Sequence, residues 1–437
     1  MNLWNAHPVD FIRALRDAGL RRAYLITNSK TGELEGSHPI MDSLRDAVAA
    51  DTRDYRRHEG CFFEIGRDSE QLLSAHVHMT RRGQAAGGVR FWKYDTMEAF
   101  IRDGLRLSVG MGHKNALAGL WSGGGKGVVA RQPDMDYRNP EFRRVLYRDY
   151  GRFMSGLCGC YITAEDAGTT AEDMAQVFAT TRHTTCIPKE LGGSGNPSQF
   201  TARGVVVAME AGLDHMGLGN LSGKTVALQG LGNVSFFMIE ELIERNVAKI
   251  IGTDIDEVAV QKVKDRYTGA PLEIRTSKPG NDEILAAQAD VLAPNAVGAI
   301  LSERTIPTIR AKLICGGANN QLEEPSKDDI RIHERGIVYI PDFLANRMGI
   351  VNCANEQYGY MENDPTITAH LVRTNPTGIF RRTQEVLARA KESGNTTATQ
   401  AQKLADELAQ ELHPIWGHRG QQIIDYLVQS GWAKDNN

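Results

Sequence analysis

The spacing of hydrophobic and polar positions changes about half-way along this chain. In the first half, residues 71–79 and 87–92 alternate between apolar and polar side chains, as half-buried strands do. Residues 97–118 place apolar side chains at roughly helical spacing, and shorter helical patterns lie at residues 8–15 and 43–48. The first half therefore predicts a mixture of strands and helices.

The second half predicts a regular alternation of strand and helix. After a helical segment near residues 201–216, two buried-strand patterns at residues 225–229 and 249–253 flank a helix over about residues 233–245. Further short strands are predicted at residues 290–294, 312–315 and 337–340. Such alternation is typical of a parallel sheet with helices on its faces.

Together these patterns predict an α/β protein of two domains with a cleft between them. The N-terminal α/β domain takes residues 1–199, and a Rossmann-type dinucleotide-binding domain takes residues 200–385. The tail from about residue 376 is helical, with a polar break at residues 393–397. Because no long flexible linker precedes it, we expect helices at about residues 386–437 to fold back and complete the first domain.

Composition excludes several classes of function. A net charge of −4 on 437 residues gives no basic footprint for nucleic acid or a membrane surface. The sequence has no apolar run of about eighteen residues and no secretory signal at its start, so we expect a cytoplasmic protein. Its six cysteines lack the C-x₂-C spacing of a zinc site, and no H-E-x-x-H motif occurs. We expect reduced, mostly buried thiols and no catalytic metal.

A dinucleotide-binding fingerprint follows the strand at residues 225–229. Gly230 allows a tight turn and Gly232 lets the backbone approach a pyrophosphate, whereas Ser235 replaces the usual third glycine. Asp254, 22 residues after Gly232, is expected to accept hydrogen bonds from the adenosine ribose and to repel a 2′-phosphate, which favours NAD over NADP. The alternative is a helix–strand turn with incidental glycines. The predicted cofactor-binding run is Gly230, Leu231, Gly232, Asn233, Val234 and Ser235.

Two lysines twelve residues apart, Lys114 and Lys126, are the main candidates for chemistry. Three glycines precede Lys126, and we expect them to clear the approach of a small ligand to its ammonium group. A P-loop is excluded, because Leu120 and Gly127 stand where that motif needs glycine and Ser or Thr. The lysines are therefore candidates to bind a small anionic or carbonyl-bearing molecule.

Asp166 is the candidate acid. The run Thr169-Thr170-Ala171-Glu172 predicts a capping box, which puts Asp166 in the turn just before a helix. Taken singly, a lysine on a helix is usually solvated, and an acid at this place simply favours the helix N-terminus.

In this order, the motifs resemble those of the amino-acid dehydrogenases that act on glutamate, leucine, valine and phenylalanine, and most closely the leucine/phenylalanine branch. The resemblance covers about residues 70–415. It is carried by Gly87-Gly88-Val89-Arg90, Gly110-Met111-x-x-Lys114, Gly123-Gly124-Gly125-Lys126, Thr163-Ala164-Glu165-Asp166, Gly193-Ser194-Gly195-Asn196-Pro197, the fingerprint run, Ala318-Asn319-Asn320-Gln321 and Tyr358-Gly359-Tyr360.

The resemblance implies NAD-dependent, reversible oxidative deamination of an L-amino acid to a 2-oxo acid and ammonia, by a homo-oligomer. Lys114 is then expected to pair with the substrate carboxylate. Lys126 polarises the carbonyl or activates water, and Asp166 carries a proton to and from the amine. Asn319 is expected to contact substrate or cofactor, and Thr201 the cofactor.

The expected pocket lining favours an apolar or aromatic substrate. Ala86 stands where glutamate-specific relatives carry a lysine, next to the pocket glycines. An apolar lining rejects a carboxylate, because a buried unpaired charge is costly. The expected substrate-binding residues are Lys114, Ala86, Gly87, Gly88, Ala164, Ile350, Cys353 and Asn319.

One departure from the family leaves alternatives open. Relatives carry Asn-Ala-Gly-Gly where this chain has Asn346-Arg347-Met348-Gly349. We expect Arg347 to point to solvent, since arginine is mostly exposed. If it faces the pocket instead, the substrate is an acidic or modified amino acid. The alternative from another class is a non-catalytic NAD-binding regulatory protein.

Overall fold

The computed structural model describes residues 2–133, 135–356 and 359–434. Tyr358, part of one of the family motifs, lies outside them. The chain divides into two compact units. Unit 1 comprises residues 1–196, 353–361 and 406–437, and unit 2 comprises residues 197–352 and 362–405. The domain boundaries inferred from sequence, 199/200 and 385/386, stay predictions.

Unit 1 is built on a sheet in which seven strands are described, in the order β2-β1-β3-β4-β6-β5-β7. Neighbouring strands from β2 through β6 in this order pair antiparallel, whereas β5 is parallel to both β6 and β7. The strands are β1 (Arg22–Thr27), β2 (Leu34–Gly36), β3 (Gly60–Ile65), β4 (Leu72–Met79), β5 (Ala85–Trp92), β6 (Gly123–Ala130) and β7 (Tyr161–Glu165). The helices are α1 (Pro8–Asp17), α2 (Asp42–Ala50), α3 (Met97–Leu117), α4 (Pro140–Gly156) and α5 (Ala171–Phe178).

The sheet of unit 1 is buried on both faces. Neighbouring residues of one strand, such as Phe62 and Phe63, enter different hydrophobic clusters, because successive side chains point to opposite faces. Every residue of β3 is buried, so its sequence lacks the apolar–polar alternation of a half-buried strand. β1, β2, β3, β6 and β7 were not predicted from the sequence, and for β3 this is the reason.

Unit 2 carries a parallel sheet with six described strands, in the order β10-β9-β8-β11-β12-β13. Its strands are β8 (Thr225–Gln229), β9 (Lys249–Asp254), β10 (Leu272–Thr276), β11 (Val291–Pro294), β12 (Leu313–Ile314) and β13 (Val338–Tyr339). Its helices are α6 (Ser198–His215), α7 (Asn233–Glu244), α8 (Glu257–Arg266), α9 (Pro325–Glu334), α10 (Asp342–Ala345), α11 (Met348–Ala354), α12 (Pro365–Ala369), α13 (Ile379–Ser393) and α14 (Thr397–Ala409). The predicted α/β class with a Rossmann-type domain is confirmed. Among the described strands of unit 2, the one not predicted from the sequence is β10, a largely exposed edge strand.

The helical tail breaks where the sequence predicts. Gly394 adopts a left-handed conformation (φ 66°) between α13 and α14, and a last helix, α15 (Arg419–Gln429), follows. In this tail, residues up to 405 belong to unit 2, and residues from 406 onward belong to unit 1. Among the residues described, no helix combines the length and apolar character needed to cross a membrane.

Candidate active site

The glycines before Lys126 form part of strand β6. A Cβ atom on Gly124 would overlap the Ser108 carbonyl oxygen of α3 and come within 2.8 Å of the Gly112 nitrogen. A Cβ atom on Gly125 would lie 2.5 Å from the Tyr161 ring. Our expectation that these glycines clear the approach of a ligand is therefore wrong for both. They let a helix and an aromatic ring pack directly on the strand.

Lys126 is buried in β6 and forms an ion pair with the half-buried Asp166. Its side chain is 3% exposed, and its Nζ lies 2.9 Å from Oδ2 of Asp166. Lys114 occupies the last turn of α3 and is half-buried. Because α3 crosses β6 at Gly112 and Gly124, each lysine follows the crossing by two residues.

Asp166 lies in the turn between β7 and α5, as predicted. Thr169 fixes this turn, because its Oγ1 accepts a hydrogen bond from the Asp166 N–H and lies 2.8 Å from the Asp166 carbonyl oxygen. The capping box is one residue later than predicted. Thr170 caps α5, and its backbone N–H donates a hydrogen bond to the Asp173 carboxylate. The shift leaves Thr169 free for its role in the turn.

Arg90 is a third charged group at this site, and the sequence analysis assigned it no role. Its Nε donates to the same Asp166 oxygen that Lys126 contacts, at 3.0 Å. Alternate residues of a strand share a face, so Ala86, Gly88 and Arg90 lie on one side of β5. The two-residue spacing between Gly88 and Arg90 could have identified Arg90 from the sequence, because Gly88 was already a candidate site residue.

These charges shift one another's proton affinity. Burial raises the pKa of Asp166, but the charges and hydrogen bonds of Lys126 and Arg90 outweigh it and lower the pKa to about 2. Burial lowers the pKa of Lys126, and Arg90 lowers it further, whereas Asp166 opposes the change. The pair is therefore an ionised carboxylate beside an ammonium group that loses its proton more readily than a solvated lysine.

The neighbouring pocket candidates lie on β5 and β7. Gly88 pairs with Ala164, and both Ala86 and Ala164 are half-buried. A Cβ atom on Gly87 would overlap the Gly125 carbonyl oxygen, and one on Gly88 would lie 2.8 Å from the Asp166 Cβ. These two glycines therefore make close strand packing possible beside the ion pair. In the parts of the chain that are described, no group of three His, Cys, Asp or Glu side chains is arranged to hold a metal.

Cys353 lies in a buried polar cluster of unit 1. Its Sγ is 2.9 Å from Cys186 Sγ and 3.5 Å from Ser194 Oγ. Glu356 accepts hydrogen bonds from the N–H groups of Cys186 and Ile187, at 2.7 and 2.9 Å, and from the Ser194 hydroxyl. The sequence analysis missed Glu356. All six cysteines are free, and only Cys158 is exposed.

The fingerprint turn of unit 2 has the geometry its glycines predict. Gly230 has φ 95°, and a Cβ atom there would lie 2.5 Å from the Ala296 Cβ. Gly232 precedes α7 and is exposed, and a Cβ atom there would meet nothing within 4 Å. Among the residues that the structure describes, no side chain caps the N-terminus of α7. The turn is thus closed at Gly230 and open at Gly232.

Ser235 supports this turn from inside. Its Oγ donates to the Gly230 carbonyl at 2.6 Å and accepts from the Asn295 amide at 2.9 Å. Asn295 in turn accepts a hydrogen bond from the Gly317 N–H at 2.6 Å. Leu231 is buried, Val234 is half-buried and Asn233 is exposed. The Ser235 hydroxyl thus takes the place of the third glycine. Its hydrogen bonds, together with that of Asn295, connect the segments that follow β8, β11 and β12.

Asp254 ends β9 beside the turn. Its Oδ2 accepts a hydrogen bond from the Leu231 N–H at 2.6 Å, and its Oδ1 accepts one from the Asp256 N–H at 2.9 Å. The carboxylate is half-buried and held in one orientation.

The other candidates of unit 2 lie near the ends of β12 and α11. Asn319 is exposed, and its Oδ1 accepts a hydrogen bond from the Asn346 amide at 2.9 Å. Thr201 is buried, and its Oγ1 lies 2.9 Å from where a Cβ atom on Gly349 would be. Ile350, which follows Gly349 in the sequence, is half-buried.

Arg347 is fully buried, so our expectation that it points to solvent is wrong. Its Nη2 donates to the Thr377 carbonyl at 2.8 Å, just before α13. Burial and the nearby Arg382 lower its pKa to about 9. Met348 is also buried, and its Cγ lies 2.6 Å from where a Cβ atom on Gly204 would be. A glycine in α6 thus makes room for the side chain that replaces a glycine of the family motif.

Known protein families match most of this chain. The family described as "Glu/Leu/Phe/Val dehydrogenase, dimerisation domain" matches residues 66–183, and the one described as "Glutamate/Leucine/Phenylalanine/Valine dehydrogenase" matches residues 192–411. A leucine dehydrogenase of Bacillus cereus is 41% identical over 343 residues, which are 78% of this chain and 88% of the relative. This chain belongs to the Glu/Leu/Phe/Val dehydrogenase family. The predicted resemblance is confirmed.

Other members of the Glu/Leu/Phe/Val dehydrogenase family extend the comparison. A phenylalanine dehydrogenase of Lysinibacillus sphaericus is 37% identical over 65% of this chain and 72% of its own. The crystal structure of an L-tryptophan dehydrogenase from Nostoc punctiforme is similar with a TM-score of 0.66 and 31% identity, over 80% of this chain and 96% of the other. The relatives are thus amino-acid dehydrogenases whose names specify apolar or aromatic substrates. The family as a whole depends on NAD or NADP.

Proposed function

We propose that this protein catalyses reversible oxidative deamination of an L-amino acid with an apolar or aromatic side chain. An amino acid, NAD⁺ and water give a 2-oxo acid, ammonium, NADH and a proton. The observation that carries the proposal is the buried ion pair of Lys126 and Asp166, at 2.9 Å, in a chain of this family. A non-catalytic NAD-binding protein has no need to bury such a pair, because burying charges is costly.

Each charged residue has a role in this chemistry. Lys114 pairs with the substrate carboxylate as a fixed cation. Lys126 in its neutral form accepts a proton from the attacking water, and its lowered pKa brings that form closer to neutral pH. Asp166 is ionised at rest, so its charge favours the iminium that forms at the substrate nitrogen, and it takes up and returns a proton at that nitrogen only transiently.

The fingerprint turn of unit 2 fits a dinucleotide. Gly232 leaves open space for a pyrophosphate, and the uncapped N-terminus of the twelve-residue helix α7 offers N–H groups to an anion. When bound, the dinucleotide supplies a hydride acceptor. Asp254 lies beside the turn as a fixed carboxylate, which accepts hydrogen bonds from a ribose and repels a 2′-phosphate. We therefore propose NAD rather than NADP, with Asn319 and Thr201 as further cofactor contacts.

The substrate preference follows from the small and apolar candidates. Ala86, Ala164, Ile350 and Cys353 offer no cation to a side-chain carboxylate. Arg347 does not require an acidic substrate, since one end of its guanidinium group already donates to the Thr377 carbonyl of its own unit. We propose an apolar or aromatic amino acid, and we retain a cytoplasmic homo-oligomer as part of the proposal.

The test is NADH formation at alkaline pH with each of the twenty L-amino acids, repeated with NADP. We expect turnover with one group of apolar or aromatic amino acids, and a preference for NAD. Turnover with glutamate or aspartate alone would reject the proposed pocket. The variant Lys126→Met keeps the side-chain length and removes the base, so it should lose about a thousandfold in kcat.

The control for Lys126→Met is NAD binding, measured by calorimetry on the same preparation. We expect wild-type affinity, because Lys126 belongs to unit 1 and the fingerprint to unit 2. Turnover that survives in the variant would contradict the assigned mechanism. Wild-type protein that binds NAD but acts on none of the twenty would favour the non-catalytic alternative.

A further inference from the structure

Arg90 forms a bridge between two carboxylates of unit 1. Its Nε donates to Asp166 Oδ2 at 3.0 Å, and its Nη1 donates to both oxygens of Asp103, at 3.3 and 3.1 Å. The side chain is 21% exposed, so most of this contact is shielded from water. A planar guanidinium with several donors can join two acids in this way, whereas a lysine ammonium cannot reach both with fixed geometry.

The far end of the bridge is itself anchored. Asp103 lies on α3, and its side chain is 11% exposed. The buried Tyr94 donates its hydroxyl to Asp103 Oδ2 at 2.7 Å, and Arg106 donates to Oδ1 at 2.8 Å. Arg90 is thus held by an acid whose oxygens are already fixed, and its orientation toward Asp166 is determined from both ends.

The near end of the bridge meets the proposed proton-transfer pair. One oxygen of Asp166, Oδ2, receives both Lys126 Nζ at 2.9 Å and Arg90 Nε at 3.0 Å. In a buried pair without Arg90, a lysine proton could pass to the aspartate and leave two neutral groups, which burial favours. A permanent cation on the same oxygen opposes that transfer.

We propose that Arg90 is a positioning residue, which holds Asp166 in place and keeps it ionised when Lys126 gives up its proton. The inference rests on the proposed function, because it gives Lys126 and Asp166 their roles. Arg90 also makes the neutral form of Lys126 more accessible, since its charge disfavours the nearby ammonium. Asp103 has the opposite effect, because its negative charge raises the pKa of Lys126. The titratable and charged groups around Asp166 are Lys126, Arg90, Asp103, Tyr94, Tyr161 and Glu165.

Arg90 and Asp103 shift the pKa of Lys126 in opposite directions. A purely structural role of Arg90 does not predict opposite shifts when each residue is replaced, so the pKa of Lys126 provides a test. The readout is the pH dependence of Lys126 acetylation by acetic anhydride, followed by mass spectrometry of the peptide in full-length protein. We expect Arg90→Gln to move the midpoint of acetylation upward by about one pH unit. Asp103→Asn should move it downward. Arg102→Gln is the matched control, because Arg102 pairs with Asp51 and Glu98 instead, and it should not move the midpoint.

Activity measurements add a second readout. In Arg90→Gln the alkaline rise of kcat/KM should shift upward with the acetylation midpoint, and kcat at pH 8 should fall at least about tenfold. Arg90→Lys keeps the charge but loses the bridge, so its midpoint should stay near that of the wild type while kcat falls. Unchanged midpoints in both Arg90→Gln and Asp103→Asn, or shifts of the same sign, would overturn the proposal.

The two proposals fail in distinguishable ways. Wild-type protein without turnover on any amino acid would reject the proposed function, yet the acetylation midpoints would still report the effect of Arg90 on Lys126. If Arg90→Gln does not fold, Asp103→Asn and Arg90→Lys carry the test. An Asp103→Asn midpoint equal to that of the wild type would then count against the bridge.

Discussion

The glycines of β6 and Gly232 in the turn after β8 belong to similar sequence runs but have different surroundings. Added Cβ atoms on Gly124 and Gly125 would run into α3 and the Tyr161 ring, whereas one on Gly232 would meet open space. Both runs looked like places where a ligand approaches the backbone. Of these positions, Gly232 has that open geometry among the described residues, whereas the glycines of β6 bring a helix onto a strand.

The comparison separates two physical uses of glycine. In β6 the missing Cβ atoms are replaced by protein atoms, so the glycines contribute to packing. At Gly232 the space is left for something outside the chain, so the glycine contributes to binding. A substitution by alanine should therefore reduce stability at the first place and ligand affinity at the second.

The largest effect is expected for Gly124→Ala. Its Cβ atom would meet backbone atoms of Ser108 and Gly112, which move only if α3 moves. We expect a loss of about 3 kcal/mol or more in the free energy of unfolding, measured by denaturant titration. Gly110→Ala is the matched control on α3, where a Cβ atom meets nothing within 4 Å, and it should stabilise by about 0.5–1 kcal/mol. Equal changes in the free energy of unfolding for the two substitutions would contradict the packing role of Gly124.

A smaller effect is expected for Gly204→Ala in α6. The new Cβ atom would lie 2.6 Å from Met348 Cγ and 2.7 Å from Ile379 Cδ1, which are side-chain atoms that can move. The clash outweighs the gain in helix propensity, and we expect a net loss of about 1 kcal/mol. In a Met348→Ala background the same substitution should cost less, because the clash with Met348 Cγ is gone while that with Ile379 Cδ1 remains. A double-mutant cycle measures this, and additive effects would contradict the pairing of Gly204 with Met348.

The smallest effect on the fold is expected for Gly232→Ala. Its backbone (φ −65°) is accessible to alanine, and the added atom has no neighbour, so the unfolding free energy should not change. NAD affinity should fall about tenfold, because the methyl group occupies the path of the pyrophosphate. Calorimetric titration measures the NAD affinity, and denaturant titration measures the free energy of unfolding. A variant that binds NAD as well as the wild type would show that the open space is not the cofactor path.

Local chemistry was predictable wherever sequence neighbours create it. The turn after β8 was recognised because its strand, its glycines and its acid follow at fixed intervals. The turn that holds Asp166 was recognised for the same reason, and the error of one residue in the capping box came from two adjacent threonines that can each cap a helix.

Contacts between distant segments were not predictable. Arg90 and Asp166 are 76 residues apart, and Cys186 and Glu356 are 170 apart, so no spacing rule connects either pair. The burial of Arg347 was missed because its acceptor, the Thr377 carbonyl, belongs to a segment thirty residues later. An arginine is usually exposed, and only a partner supplied by the fold makes its burial possible.

The sequence by itself determined the α/β class, the fingerprint turn with Asp254, and the order of motifs that identifies the family. These depend on local spacing and on residue types with narrow backbone preferences. Tertiary structure decided that the glycines of β6 serve packing, that Arg90 shares an oxygen of Asp166 with Lys126, and that Gly204 accommodates Met348. Those outcomes depend on which atoms the sheets and helices bring within a few ångströms, and such distances arise only when the whole unit has folded.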